Sequence, residues 1–267
     1  MLLELERLYN HVTDLGALCN DVAHAILHAH AGRVREQLLR LNDEVTGHRL
    51  LRGGITLGGL ALRALPDPAR LEAIGADVAE IVELALGHSV VADRFTGTAV
   101  LSTQAARDLG TLGYVARASG LDADARRDHP FTDLGPFTPA TRAGGDVLAR
   151  FHLRADEIAA SIDLITRLTG DLTPGQTGSP VTDPMTDEAS RGASRGASWG
   201  VGIVEGWRGT ITHRVQLAAD GALARVKIVD PSFFNWPALP VALGGAIVPD
   251  FPLVNKSFNL SYAGNDL

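Results

Sequence analysis

Cysteine is nearly absent from this chain, which has a single cysteine, Cys19, in 267 residues. A disulfide framework needs paired cysteines and is therefore excluded. A cluster or metal centre built only from thiolates of this chain is also excluded, because such sites need several thiolates. Cys19 lies in an apolar stretch with helical spacing, so we interpret it as a packed small hydrophobic residue, with a reactive thiol as the alternative.

Long apolar runs, basic stripes and phosphate-binding glycine motifs are missing as well. No apolar run approaches the ~18 residues needed to cross a bilayer, so we expect a chain that is soluble by itself. The formal net charge is -7 without a basic stripe, which excludes nucleic acid as an expected partner. The glycine-rich segment TGHRLLRGGITLGG has the spacing of neither a P-loop nor a dinucleotide fingerprint.

Apolar residues with helical spacing predict a mainly α fold. In the first stretch they run from Leu2 through Leu15 to Ile26. Gly47 and Ser102 are suited to end the second helix and to cap the fourth. The predicted helices are Met1–His30, Arg33–Val45, Pro68–Gly87, Thr103–Leu109 and Asp146–Leu168.

The remainder of the chain predicts loops and a β-hairpin. Residues 109–131 are rich in Gly, Asp and Arg, which favours a loop. The strands Thr210–Leu217 and Ala222–Val229 flank the turn pair Asp220-Gly221. We predict one domain over 1–267, with a helical core (1–169), a flexible loop (170–198) that repeats SRGA, and a hairpin with a C-terminal tail (199–267).

Histidine offers one weak metal motif. His24 and His28 are four residues apart and share a helix face, as a zinc pair would. We expect these side chains to face solvent or a partner instead, with the zinc pair as the alternative.

Three stretches carry a resemblance to a known family. They are LLELERLYNHVTDLGALCNDVAHA at the start, the tail DFPLVNKSFNLSYAGNDL, and a central motif filled by Gly110, Gly113, Arg117, Ala118, Ser119, Gly120, Asp124 and Arg126. A fourth helix motif has Gly145, Asp146, Arg150, Arg154 and Glu157. The chain resembles the large subunit of nickel–iron hydrogenases and its relative, the 49-kDa subunit of respiratory complex I. It looks closest to formate hydrogenlyase and other group 4 energy-converting hydrogenases.

The resemblance implies a fold and a missing portion. We expect a hydrogenase-large-subunit-like helical bundle with a small β-hairpin module near the C-terminus. The family places a substantial portion, with its first metal motif or quinone loop, before the first helix of this chain. We therefore expect this chain to be the C-terminal part of a larger subunit, with the apolar face of its first helix exposed.

The resemblance also implies that nickel is absent. Hydrogenases of this family end in a Cys-x-x-Cys that holds nickel and iron, whereas this chain has Ser261-Tyr262-Ala263-Gly264. Ser261 and Gly264 thus replace the two cysteines, and we expect no metal or cofactor in this chain. Processed hydrogenases end three residues beyond the second cysteine, which corresponds here to Leu267. We expect Leu267 to be the encoded terminus and the tail to be packed through Phe251, Leu253, Phe258, Leu260 and Tyr262.

Candidate site residues come from family motif positions. Asp21 falls where the complex I subunit has an aspartate that pairs with a quinone-site histidine; the alternative is a buried ion pair with a local arginine. Arg52 and Glu205 are further candidates for proton or charge transfer. Arg49, Gly53, Gly54, Arg117, Asp124 and Arg126 are expected at the interface with the small subunit. The charged motif residues are expected either to line a cavity or proton path or to form buried ion pairs. They are Glu6, Arg7, Arg49, Arg52, Arg117, Asp124, Arg126, Asp146, Arg150, Arg154, Glu157, Glu205, Arg208 and Lys256.

We therefore expect a nickel-free large-subunit component of a complex I-like oxidoreductase that is associated with NAD and quinone binding. Its partners would be a small subunit with a 4Fe-4S cluster, membrane subunits and a quinone. These partners would hold it in the cytoplasm at the inner face of the cell membrane. The alternatives are a fragment of a genuine nickel–iron hydrogenase large subunit and a non-catalytic scaffold fragment.

Overall fold

Twelve helices and five strands form a mainly α fold in residues 1–56, 59–170 and 198–267, which the computed structural model describes. The predicted fold class, helical with a small antiparallel sheet near the C-terminus, is confirmed. The helices are α1 Leu2–Asp21, α2 Ala25–Thr46, α3 Pro68–Gly87, α4 Ser89–Phe95, α5 Thr103–Asp108, α6 Gly113–Ala118, α7 Ala125–Asp128, α8 Val147–Gly170, α9 Pro231–Asn235, α10 Ala238–Ala242, α11 Phe251–Phe258 and α12 Tyr262–Asn265. The strands are β1 Ile55–Thr56, β2 Gly59–Leu60, β3 Ser198–Gly206, β4 Gly209–Leu217 and β5 Leu223–Val229.

The first predicted helix is wrong in its extent, because the chain reverses between α1 and α2. Ala23 adopts a left-handed conformation with φ 64°, and His24 then caps α2 by accepting from the Leu27 N–H. Gly16 of α1 lies so close to α2 that a Cβ there would be 2.6 Å from the Ala31 Cβ. No Gly or Pro marks the reversal in the sequence, so the regular apolar spacing predicted one helix that runs through it. The break changes the helical phase and leaves Ile26 80% exposed.

Capping signals in the sequence located several helix ends correctly. Gly47 ends α2 in the left-handed region with φ 82°. Asp67 caps α3 in front of Pro68, and the Ser102 hydroxyl accepts from the Ala105 N–H at the start of α5. These side chains satisfy backbone groups that helix ends leave unpaired.

The segment 109–131, predicted as a loop, contains α6 and α7. Its Gly and Asp residues are helix-end residues: Gly113 begins α6 with φ 63°, and Asp124 caps α7 by accepting from the Arg126 N–H. The loop prediction is therefore wrong, because residues typical of turns here occupy the ends of very short helices.

The predicted hairpin is part of a three-stranded antiparallel sheet in the order β3-β4-β5. Its strands and its turn at Asp220-Gly221 are confirmed within about one residue. The prediction missed β3, in which Trp199, Val201 and Ile203 alternate with glycines that hide the period. The predicted loop 170–198 lies outside the described residues, apart from Gly170 in α8 and Ser198 in β3.

Helix α1 lies at the centre of the main apolar core, between α2 and α8. Leu5, Leu8, Leu15 and Leu18 are at most 1% exposed, so the expectation of an exposed apolar face on the first helix is wrong. A second core joins α6, α10 and α11 around Tyr114 and Phe258. Among the helices described, none has both the length and the apolar character of a membrane span.

The tail packs against both cores through part of the predicted set, with Leu253 in the main core and Phe258 and Leu260 in the second. Leu253 and Phe258 are fully buried and Leu260 is 7% exposed, as predicted. Phe251 and Tyr262 are 50% and 72% exposed, so they do not anchor the tail. Their exposure follows from their positions at the starts of α11 and α12, on the sides away from the core.

Substituting Ala23→Gly should stabilise the protein by about 0.5–1 kcal/mol, because glycine adopts positive φ without steric cost. The same change at the exposed helical residue Ala29 should destabilise it by about 1 kcal/mol. Urea unfolding of both variants measures the difference. Equal losses of stability would contradict the strained turn.

Substituting Phe258→Ala should lower the free energy of unfolding by about 3–5 kcal/mol, because a buried ring leaves a cavity. Phe251→Ala is the matched control on the same helix, and its half-exposed ring should cost under about 1 kcal/mol. Thermal and chemical denaturation of the two variants provide the measurement. Similar losses would show that the tail does not pack as described.

Candidate functional site

Two polar stripes face each other across the contact between α1 and α8. On α1 the stripe is Glu4, Arg7, His11 and Asp14; on α8 it is Arg150, Arg154, Glu157 and Ser161. Spacings of three and four residues place each set on one side of its helix. All eight side chains are buried, so this polar seam lies inside the protein.

The contacts within the polar seam run antiparallel. The Ser161 hydroxyl donates to Glu4 Oε2 at 2.6 Å, and Arg154 Nε donates to Asp14 Oδ2 at 3.0 Å. Between these ends, His11 Nε2 lies 2.7 Å from Glu157 Oε2. Buried polar groups need such partners, because leaving one unpaired costs several kcal/mol.

Arg117 of α6 connects the seam to the sheet. Its guanidinium donates to Glu157 Oε1 at 2.6 Å and to Glu205 Oε1 of β3 at 2.8 Å. Glu205 Oε2 also accepts from the Ala125 N–H and the Thr210 hydroxyl. Arg117 is fully buried, and it donates four hydrogen bonds, to Glu157, Glu205 and the Ala123 carbonyl.

Arg126 of α7 closes the arrangement into a ring. It donates to Asp124 Oδ2 at 2.6 Å and to Glu4 Oε2 at 3.0 Å, while Asp124 lies 3.3 Å from Arg117. Arg7 completes the ring by contacting both Glu4 and Glu157. We call this set the buried charge network: Glu4, Arg7, His11, Arg117, Asp124, Arg126, Glu157 and Glu205.

The network reaches the surface at Arg126. This side chain lines a cleft of about 520 Å³ together with Pro130, Phe131 and Phe137. The Arg126 guanidinium also lies over the Phe137 ring, 4.5 Å from its centroid. The cleft is thus lined by aromatic rings and by two paired arginines, Arg126 and Arg127.

The arginines of the network hold Glu4 and Glu157 ionised. Burial by itself would raise the pKa of Glu4, but Arg7 and Arg126 outweigh it and lower this pKa to about 2. The pKa of Glu157 is likewise lowered well below its ordinary value against the effect of burial, chiefly by Arg117. Burial would lower the pKa of Arg117, but Glu157 and Glu205 raise it. Glu4, Glu157 and Arg117 therefore carry fixed charges.

Arg150 differs from the other buried arginines, since its guanidinium contacts no carboxylate. It donates to Ser257 Oγ and to the carbonyls of Gly145 and Ala99, and it stacks on Phe258. Burial, with the neighbouring Arg154, lowers the pKa of Arg150 to about 9. The group still carries its charge at neutral pH, because guanidinium deprotonates only at very high pH.

The predicted catalytic residues are not brought together. Glu205 is buried in the network. Asp21 is half-buried at the end of α1, about 10 Å along the helix axis from Asp14. Arg52 is exposed in the turn before β1. No arginine forms an ion pair with Asp21 in the described residues, so the alternative of a buried ion pair at Asp21 is wrong. Burial raises the pKa of Asp21, and Lys256 opposes the rise.

The predicted interface residues fall into two groups. Arg49 and Gly53 are exposed, and Arg49 pairs with Glu36, while Gly54 is buried beside Thr46. Arg117, Asp124 and Arg126 contact the chain's own carboxylates and arginines inside the network. Contact of these residues with a small subunit stays a prediction. The alternative of buried ion pairs holds for Arg7, Arg117, Asp124, Arg126, Arg154, Glu157 and Glu205.

Sequence reasoning missed Glu4, His11, Asp14 and Ser161. A signal was available, because polar residues at positions 4, 7, 11 and 14 share one side of an otherwise apolar helix. Such a stripe predicts a polar partner on another buried helix. The apolar spacing in α1 predicted only which face packs into the apolar core.

The C-terminal residues do not suit a nickel–iron site. Ser261 Oγ accepts from the Gly264 N–H at 2.9 Å and so caps α12. A Cβ at Gly264 would lie 2.6 Å from the Asp230 Cγ, so a cysteine does not fit there without a shift. Nickel and iron in such sites need thiolate ligands, which neither residue supplies.

His24 and His28 do not form a zinc pair. The Nδ1 of His24 caps α2, and the ring packs edge-on to His88, while His28 is exposed. Within the described residues, His30, Asp77 and Glu80 bring their ligand atoms within 4.8 Å of one another. Arg33 lies between them, 3.0 Å from Asp77 and 2.7 Å from His30 Nε2, and supplies the cation itself.

Comparison with known proteins finds a matching family model and several relatives. The family model described as "Respiratory-chain NADH dehydrogenase, 49 Kd subunit" matches residues 21–266. Formate hydrogenlyase subunit 5 of Escherichia coli strain K12 is 29% identical over 273 residues, which cover 100% of this chain and 46% of that protein. Hydrogenase-4 component G of the same strain is 30% identical over 280 residues, covering 100% of this chain and 44% of that protein.

A third relative has no hydrogenase name. The D subunit of NADH-quinone oxidoreductase from Deinococcus radiodurans is 34% identical over 185 residues, covering 66% of this chain and 46% of that protein. The chain spans about half the length of these three curated relatives.

Substituting Glu4→Gln should cost about 3 kcal/mol of stability at neutral pH, because the Glu4 pKa lies at about 2 in the folded chain against an ordinary 4.5. A lowered pKa stabilises the fold above pH 4.5, and this contribution disappears as the pH falls towards about 2. The variant should therefore lose less stability than the wild type across that range. Urea unfolding as a function of pH measures both effects.

The matched control is Glu44→Gln. Its side chain is 58% exposed and pairs with Arg70, so its loss should cost under about 1 kcal/mol. If Glu4→Gln and Glu44→Gln behave alike, the network does not hold the Glu4 charge as described.

Proposed function

Because the chain belongs to the family of the 49-kDa subunit of respiratory-chain NADH dehydrogenase, we propose that it is a nickel-free large-subunit component of a membrane-associated oxidoreductase related to complex I and energy-converting hydrogenases. The observation that carries the proposal is the C-terminus. Relatives named as hydrogenase components cover the whole chain, yet Ser261 and Gly264 supply no thiolate and Asp230 fills the space beside Gly264. No step of the reaction is therefore assigned to nickel.

A partner surface is supported by the segment after α2. Leu50, Ile55 and Leu60 are 42%, 63% and 41% exposed, and Arg52 and Gly53 lie among them. Apolar side chains clustered at an exposed turn are typical of protein contacts. We assign this segment to contact with an iron–sulfur small subunit, whose 4Fe-4S cluster would supply one-electron transfer.

Asp21 is the residue we assign to proton transfer with a quinone, and it lies at the other end of α1 from this segment. Burial raises its pKa, and the opposing Lys256 and His28 are weaker influences. A half-buried carboxyl with a raised pKa can hold a proton closer to neutral pH than an exposed one. Glu205 and its network then serve as a rigid support, since their charges are already paired.

A scaffold without catalysis is the second candidate. The observation in its favour is that the charged groups of the network bond to each other or to the backbone, and Arg52 and Asp21 lie apart from it. A scaffold would bind the same partner and transfer no electrons.

The test is co-expression of the full chain with an iron–sulfur small subunit, followed by purification, elemental analysis after chelation and reduction of a short-chain ubiquinone analogue. We expect a stable complex that retains iron without nickel and reduces the quinone. Asp21→Asn should lower turnover roughly a hundredfold, as loss of a proton-transfer group does.

Asp93→Asn is the control, because Asp93 is exposed on α4. Its turnover should equal that of the wild type. Retained stoichiometric nickel would overturn the proposal in favour of a hydrogenase. A complex that binds but never reduces quinone would favour the scaffold.

A further inference from the structure

His11 is a fully buried imidazole with only one of its nitrogens bonded. Nε2 lies 2.7 Å from Glu157 Oε2. Nδ1 has no hydrogen-bond partner in the described part of the chain. The ring is held edge-on between Tyr114 of α6 and Trp207 of the β3–β4 turn, with centroids 6.0 and 6.1 Å away. Its orientation is thereby fixed.

The bond to Glu157 determines which nitrogen carries the proton. Glu157 is ionised, because its pKa is lowered well below the ordinary value, and a carboxylate can only accept. Nε2 must therefore be the N–H of the neutral ring. Nδ1 is left with a bare lone pair, which is a proton acceptor without a donor.

Glu157 is the carboxylate that would hold a proton at this position, because it lies directly against Nε2. The network has four carboxylates and three guanidinium groups, namely those of Glu4, Asp124, Glu157 and Glu205 and of Arg7, Arg117 and Arg126. The polar seam adds Asp14, Arg150 and Arg154, so these buried charges balance while His11 is neutral. An imidazolium at His11 therefore depends on its direct contact with Glu157.

Groups from each neighbouring element act on His11. Burial is the largest influence and lowers its pKa, while Glu157 of α8 raises it. Arg154 of α8 and Arg7 of α1 lower it further. From α6 and the β3–β4 turn it meets the Tyr114 and Trp207 rings. The ring is therefore neutral at neutral pH and has room for one proton.

We propose that His11 is a buried proton-binding site of this chain, in which Nδ1 takes one proton from solvent and Glu157 holds the imidazolium through Nε2–H. The step forms one N–H bond and breaks none in the protein. Trp207, which packs edge-on against the ring, is 9% exposed and lies under the Arg208 guanidinium. The site goes beyond the proposed function, because it needs neither a quinone nor a partner subunit.

The experiment is a pH titration of the purified full chain labelled with ¹⁵N-histidine, followed by long-range ¹H–¹⁵N correlation. His11 is identified among the nine histidines by NOEs to both Tyr114 and Trp207. At neutral pH we expect a protonated Nε2 and an unprotonated Nδ1. On acidification, Nδ1 should become protonated while the other signals remain those of the folded chain.

Glu157→Gln should weaken proton binding at His11 roughly tenfold or more, because the opposite charge is lost. Glu72→Gln, the same change at an exposed position on α3, should leave it unaltered. A neutral ring protonated at Nδ1, or an Nδ1 that stays unprotonated until the chain unfolds, would overturn the proposal. The wild-type titration decides this even if Glu157→Gln fails to fold, and quinone turnover does not enter it.

Discussion

The antiparallel match between the polar stripes of α1 and α8 fixes the arrangement of the other elements. Glu4 meets Ser161 at one end of the polar seam and Asp14 meets Arg154 at the other. Sliding one helix by a turn, about 5.4 Å, would place buried charges against the wrong partners. Apolar packing alone tolerates several registers, whereas a mismatch of buried charges costs several kcal/mol. The seam therefore selects one register and, with it, the face of α1 that meets α2.

Each surrounding segment is positioned by a charge that it contributes to the seam. Arg117 fixes α6, Arg126 fixes α7, and Glu205 fixes the end of β3 beside the core. Buried ion pairs add little net stability compared with apolar packing, but removing one partner is costly. The network thus acts mainly on specificity: it gives α7, which has only four residues, a defined place, and it fixes α6 and the end of β3 relative to the seam.

Local patterns predicted much of the fold, and they failed where distant residues decide. Pro68, Ser102 and Gly47 mark helix ends through their own backbone chemistry, so their elements could be predicted. The reversal at Ala23 depends on close packing of Gly16 against Ala31, which no local signal reports. The partners of Glu4 and His11 lie about 150 residues away, so their roles needed the tertiary structure. The family motifs pointed to Arg117 and Glu205 as candidate residues, but they did not predict that the two side chains contact each other.

The C-terminal tail contacts the polar seam through Asn259. Asn259 donates to Asp14, and its carbonyl accepts from Arg208 beside Trp207. These bonds are made by Asn259 with Asp14 and Arg208, so they involve neither Ser261 nor Gly264. Ser261 and Gly264 therefore form a helix cap without a direct contact to the seam. The cap at the end of the tail and the charged interior are built from different atoms, so either can change while the other is kept.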